Sequence, residues 1–281
     1  MNKLIFFTTF FSIFNLVNIY GQPVESLVFK GEIGFSIGQA VYFGDLNPNA
    51  NFNGFSNSLG AFYKKNISKH VGLKVSLEYN ELSYDDKLNL TNQDLNNRNL
   101  RFGNRTLEAS FATEFNFFQY NPGSKSYNFS PYFGIGVGLL YYNPFTQDDD
   151  NKIVYLRPLI TERISINDKI EKYTQFALTV PITIGVKYNI NQKINLFGEF
   201  TYRFTNTDYI DDVSTNYAGI RAFPSGSTES KLQDRSVDQV YGLPGFRRGT
   251  GNYNDSFMSF KLGLSLNIIE SCCPNIQKLY Q

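Results

Sequence analysis

The chain carries one histidine, His70, and two cysteines, Cys272 and Cys273, so side chains suited to base or nucleophile chemistry are scarce. His70 stands in the stretch SKHVG, with no serine nucleophile motif beside it. A Ser-His-Asp hydrolase or a barrel acyltransferase needs its histidine next to a nucleophile and facing substrate. A solvated turn histidine is the simpler reading. Zinc-type ligand spacings are absent. Acidic runs occur at DDD (148–150) and in TDYIDDVS (207–214). Carboxylates at such spacing can hold Ca²⁺, but EF-hand spacing is missing and polar loops commonly carry such runs. No cofactor and no enzymatic activity is expected. Cys272 and Cys273 are adjacent and cannot build a disulfide framework. They could form a vicinal bond, pair with another chain, or stay reduced.

What remains is charge and alternation. The 281 residues hold 26 Lys+Arg against 25 Asp+Glu, which leaves no basic footprint for nucleic acid. The 27 Phe and 19 Tyr favour strands over helices. The N-terminus, MNKLIFFTTFFSIFNLVNIYGQ, has Lys3 before an apolar run and Gly21 before Gln22. This has the form of a signal peptide over 1–21, and no cysteine near the cleavage point suggests a lipoprotein. Beyond it no stretch approaches the roughly 18 apolar residues of a spanning helix.

Period-two alternation does recur. In VGLKVSLEYN the residues Val71, Leu73, Val75, Leu77 and Tyr79 alternate with Gly72, Lys74, Ser76, Glu78 and Asn80. Seven further stretches behave alike: 31–43, 58–67, 106–118, 131–142, 177–190, 194–204 and 257–268. The connections after the second, fourth and sixth are short, whereas 44–57, 82–104, 143–175 and 206–255 are long and polar. Short turns on one side and long loops on the other are the mark of an outer-membrane barrel. The expectation is an all-β, eight-stranded antiparallel transmembrane β-barrel over 22–268, with long extracellular loops, short periplasmic turns and a periplasmic tail, 269–281. A lipocalin-like soluble barrel would alternate equally well, but it has no cause for the loop asymmetry. Glycines that fall with the charges also suit a narrow lumen.

That orientation turns Lys74, Glu78, Glu108, Glu114, Lys187, Glu199, Arg203 and Lys261 into the lumen, where they must pair. A closed, salt-bridged plug is expected rather than a pore. Pro181 falls inside the sixth strand and calls for a bulge.

The order of motifs resembles the PorG family of the type IX secretion system. The resemblance lies in YFGDLNPN (42–49), RNLRFGNRTLEASFATEFNFF (98–118), SPYFGIGVG (130–138), TVPITIGVKYNI (179–190), LFGEFTYRFTNTDYIDDVSTNY (196–217) and RRGTGNYNDSF (247–257). Its most family-like string is the loop start with Thr207, Asp208, Tyr209, Asp211, Asp212 and Ser214. Loop 143–175 and the cysteine-bearing tail depart from the pattern. The resemblance implies a non-enzymatic barrel in outer-membrane lipid, tied to a periplasmic ring lipoprotein of the PorK/GldK type and to other secretion components, in some bacteria serving gliding. The parts available for such contact are the periplasmic residues Lys64, Lys65, Lys69 and His70 and the tail's Cys272 and Cys273. The alternative is a stand-alone small barrel with a structural or adhesive role through its external loops.

Overall fold

A computed structural model describes residues 29–269, apart from 90–91, 122–126, 163–164, 167–168, 171, 192, 237–240 and 252. The expected signal peptide, Cys272 and Cys273 lie outside the described residues. Eight long strands form the body. They are β1 (Phe29–Phe43), β2 (Ser56–Asn66), β3 (Val71–Asp85), β4 (Arg101–Asn116), β5 (Phe129–Tyr141), β6 (Phe176–Asn189), β7 (Ile194–Thr205) and β8 (Ser256–Ile269). Each pairs antiparallel with the next, and β8 returns to β1 with Ile37 opposite Leu262, so the sheet closes on itself.

The side chains decide which solvent the wall meets. Phe35, Ile37 and Val137 point outward and are 64%, 67% and 64% exposed, among a continuous apolar belt that includes Leu77, Leu107, Leu178, Phe260 and Leu264. A water-soluble protein does not expose an apolar surface of that extent, and a lipocalin-like barrel would bury it. Inward positions carry charges, small polar groups and glycine. Added Cβ atoms on Gly34, Gly185 and Gly263 would run into the rings of Phe62, Tyr132 and Phe197, which fill the barrel. Glycine at those sites is a space requirement.

Pro181 does not produce a bulge. Thr179 stands opposite Gly138 and Ile182 opposite Ile135, so the register across β5 is the same on both sides of the proline. Pairing lapses only at Val180 and Pro181, while the β7 ladder continues through Pro181 opposite Arg203. The missing N–H faces β5, so a short gap there suffices.

Two strands are taller than alternation predicts. β3 runs on to Asp85 and β4 begins at Arg101, which lifts a hairpin above the belt. In that extension the polarity inverts. Leu82, Tyr84 and Phe102 point inward and are buried, whereas Glu81, Ser83, Asp85, Arg101, Gly103 and Arg105 lie on the outer face. The inversion falls between the facing pairs Tyr79–Leu107 and Glu81–Arg105, which marks the edge of the lipid-facing band. A short hairpin, Phe145–Gln147 with Ile153–Tyr155, leans on β4 at Gly103. Two one-and-a-half-turn helices, α1 (Gln93–Arg98) and α2 (Thr228–Gln233), sit in the long loops. The large apolar cluster, with Tyr42, Leu82, Phe102, Leu140, Tyr142, Ile210 and Phe257, lies at the loop end of the barrel.

Candidate functional site

The interior is a network of ion pairs in two neutral groups. Nearer the turns, Lys64 pairs with Glu32 and, at 3.0 Å, with Glu114, which also takes Lys187. Further along, Lys74 meets Glu199 at 2.8 Å, and Lys261 reaches Glu199 at 3.4 Å as well as Glu78. Arg203 then joins Glu78 to Glu108, the latter at 2.5 Å. All eight lumen charges expected from the sequence are inside and paired. Glu32 and Lys64 join them, which makes five acids against five bases. The expectation for Lys64 is therefore corrected. It belongs to β2, is 3% exposed and points into the lumen, so it is no part of a periplasmic contact surface.

Two pairs join facing residues of neighbouring strands, Glu32 with Lys64 and Glu199 with Lys261, and the others link strands that are not neighbours. Lys64 faces Lys74 directly between β2 and β3, and Glu78 faces Glu108 between β3 and β4. Like charges at facing positions repel, so each pair depends on a residue reaching over from the far wall. Arg203 of β7 bridges the two glutamates, while Glu114 and Glu199 separate the two lysines. β5 contributes no charge, and its Gly134, Gly136 and Gly138 leave room for the reach. Between Glu32, Lys64, Lys74, Glu114 and Lys187 the remaining cavity is about 10 Å³, room for about one water molecule. A lumen packed this way predicts no large, steady single-channel conductance in planar bilayers. Open-pore currents that persist would overturn the packing described.

At the turn end, the His70 ring is 2.9 Å from the Asn116 carbonyl through Nδ1 and stacks on Phe115, so it braces the turn. Lys65 is exposed on the outer face and Lys69 is half-buried in the turn. The structure thus keeps Lys65, Lys69 and His70 at the rim.

The family-like string builds the opposite end. Tyr142 and Thr207 hydroxyls meet at 2.9 Å, Ser214 donates to Asp208 at 2.8 Å, and Tyr209 stacks on Tyr173 with centroids 4.6 Å apart. Asp212, at φ 67°, accepts from Thr161 at 2.6 Å and from Tyr173 at 2.7 Å. Two buried arginines complete the cap. Arg98 clasps Asp86 at 2.7 and 2.8 Å and donates to the carbonyls of Asp45 and Arg248. Arg248 reaches Glu162 at 3.3 Å and the Asp212 carboxylate at 3.5 Å, and Glu162 accepts from the N–H groups of Ser214 and Thr215. All four long loops are therefore locked into one lid, with Asp45 closing it on Thr250 at 2.8 Å. The described middle of 206–255 is tied down as well as its ends, through Gln233 to Arg248 and Arg235 to Gln147. Asp148 of the DDD run accepts from the N–H groups of Asp150 and Lys152 and caps a tight turn.

The Tyr42 hydroxyl lies 2.6 Å from Asp211 and 2.7 Å from Asp255. One hydroxyl proton cannot serve two carboxylates. Burial pushes both well above the usual carboxylate range, which favours a proton held between the pair. Burial also raises Asp208 to about 7, and Asp212 to about 6 in spite of Arg248. The folded lid thus holds protons that an unfolded loop would release. Their contribution is full below the ordinary aspartate pKa and is lost as pH climbs through about 6 to 7. Amide exchange within 206–255, corrected for intrinsic rates, should be slower at about pH 5 than at about pH 8. Equal protection at both would show that these groups do not titrate with the lid.

A closed antiparallel sheet, an apolar exterior and an ion-paired interior define a membrane-spanning eight-stranded β-barrel. The chain belongs to the family described as "Domain of unknown function (DUF6089)", which matches residues 6–234 and so reaches from before β1 into the last long loop. No curated protein matches the chain. Among solved structures, Neisserial surface protein A is 11% identical, over 85% of this chain and 97% of that one, with a TM-score of 0.42. The attachment invasion locus protein Ail of Yersinia pestis is 9% identical over 85% and 99% of the two chains, at a TM-score of 0.39. Outer membrane protein OprG of Pseudomonas aeruginosa is 11% identical over 86% and 98%, also at 0.39.

Proposed function

We propose that this barrel is a non-enzymatic outer-membrane component of type IX protein secretion, of the PorG kind, that links the outer membrane to the periplasmic ring. The observation that carries the reading is the sealed interior. A lumen spent on mutual ion pairs, under a lid made of all four loops, offers partners a rigid surface and solutes no passage. The family-like residues Thr207–Ser214 are the clasp of that lid. The string that carries the PorG resemblance then has a structural role. Lys65, Lys69 and His70, with the tail's Cys272 and Cys273, are the contact candidates on the ring side.

Affinity purification of the tagged chain from mildly solubilised membranes should bring down a lipoprotein of the PorK/GldK type. Deletion of its gene should stop secretion of type IX cargo. Recovery of the barrel alone, with secretion intact, would refute this role. The same result would favour a stand-alone adhesive barrel, whose lid displays the exposed rings of Phe52, Phe55, Phe246 and Tyr253.

A further inference from the structure

On the outer face of the β3–β4 extension, where the wall above the lipid band turns polar, there is a hollow of about 480 Å³. A side chamber of about 200 Å³ shares Ser83, Gly103 and Phe145 with it. Ser83 and Gly103 are small where larger side chains would continue the wall; the Phe145 ring packs over Gly103, and the space over Ser83 stays open. Phe55 and Phe145 form apolar sides. The volume is that of a small-ligand site.

Its charges are uncommitted. Arg101 and Arg235 both donate to the Gln147 carbonyl, at 3.1 and 2.9 Å, so two guanidinium groups crowd one neutral acceptor. Arg101 Nε is enclosed and has no acceptor. Arg105 lies 5.4 Å from the centroid of the Phe145 ring. Among the described residues none of these three arginines forms an ion pair. Two acids face these arginines in register: Glu81, opposite Arg105, accepts from Asn57 at 3.0 Å and Tyr79 at 3.1 Å, and Asp85, opposite Arg101 and itself lining the hollow, accepts from the Lys87 N–H at 2.9 Å. An enclosed guanidinium nitrogen without an acceptor is costly unless an anion completes it. Burial, then repulsion from Arg101, hold the Arg235 pKa below its ordinary value, against the opposing pull of Asp149, Asp85 and Asp148.

Position selects the kind of anion. Arg105 is two residues beyond Leu107 on the outward face, the first polar position above the apolar belt. An occupant of the hollow therefore lies in the headgroup layer of the leaflet at the loop end, with its chains free to run down past Leu107. The geometry points to a binding site for the phosphate-bearing headgroup of a membrane lipid, with Arg101 as its cation in the larger hollow, Arg105 in the side chamber, and the space over Ser83 admitting it. The site rests on the membrane placement of the barrel and not on the secretion role.

Native mass spectrometry of the full chain released from detergent tests this with three probes: phosphatidic acid, diacylglycerol of the same chains, and inorganic phosphate. One retained phosphatidic acid is expected, with diacylglycerol and inorganic phosphate each at least about tenfold weaker. Arg101→Gln should cost about tenfold in phosphatidic acid retention. Ser83→Leu, which fills that space and leaves the charges, should do the same. Both variants should keep the fast migration of a folded barrel on unheated gels. Equal retention by wild type and both folded variants would mean annular lipid and overturn the site. So would inorganic phosphate binding as tightly as the lipid. A chain that inserts into liposomes but shows no site-dependent lipid fails this inference alone and leaves the proposed function standing.

Discussion

Replacing Arg203 by Met should destabilise the barrel by about 3–5 kcal/mol, the usual cost of removing one partner from a buried ion pair. The substitution keeps most of the side-chain volume and removes the one group that touches both Glu78 and Glu108. These two carboxylates face each other across β3 and β4. Glu78 would retain Lys261, but among the described residues Glu108 would be left with the Thr179 hydroxyl at 2.5 Å as its donor. The measurement is the urea midpoint of the folded band on unheated gels, in a fixed lipid. Adding Glu108→Gln to Arg203→Met should recover most of the loss, because replacing both members of a buried pair by neutral groups is close to neutral. An unchanged midpoint in the single variant would show that the network is not what holds β3, β4 and β7 at their spacing. A loss of similar size in the double variant would point to packing and away from charge.

The alternation that reveals the barrel in the sequence works only inside the lipid band. Val71–Tyr79 reads cleanly because lipid lies on one side and charge on the other. Two residues later the environments exchange. Leu82 and Tyr84 turn in to the lid's apolar cluster while Ser83 and Asp85 turn out to water, so the pattern slips by one and the strand looks finished. β4 shows the same slip at Phe102 and Arg101.

Lys64 reads as a turn residue for a related reason. Phe62 points inward into the space left by Gly34, which breaks the apparent alternation of β2 and makes the lysine pair read as a turn. The space for Phe62 is supplied by a residue on β1, which no reading of β2 alone reveals. Glu32 sits on the inward face of β1 in unbroken phase with Gly34 and Ser36, so alternation alone suffices to place that charge in the lumen. The loop clasp depends on pairs such as Arg98 with the Arg248 carbonyl, 150 positions apart, and local patterning carries no trace of them.

Those long-range pairs separate the stability of the lid from that of the wall. Arg248→Met should open the lid and leave the barrel folded. Its guanidinium is buried against Asp212 and Glu162, and it also donates to the Asp212 carbonyl, while Glu162 in turn holds the N–H groups of Ser214 and Thr215. Without it, two buried carboxylates lose their cation, at a cost of several kcal/mol. The loops can escape that cost by swinging into water, which the strands, tied by continuous ladders, cannot do. Added protease should therefore cut within 206–255 in the variant and spare the wild type, with the urea midpoint of the barrel band nearly unchanged. Burial raises the Asp212 carboxyl even with Arg248 present. Without the cation that carboxyl should take up a proton more readily, so cleavage should be strongest at alkaline pH and partly suppressed near about pH 5. A variant that loses the barrel band together with the lid would show that mouth and wall fold as one unit. A variant cut no faster than wild type would mean that the apolar cluster of Ile210, Val213 and Tyr42 holds the lid without the arginine.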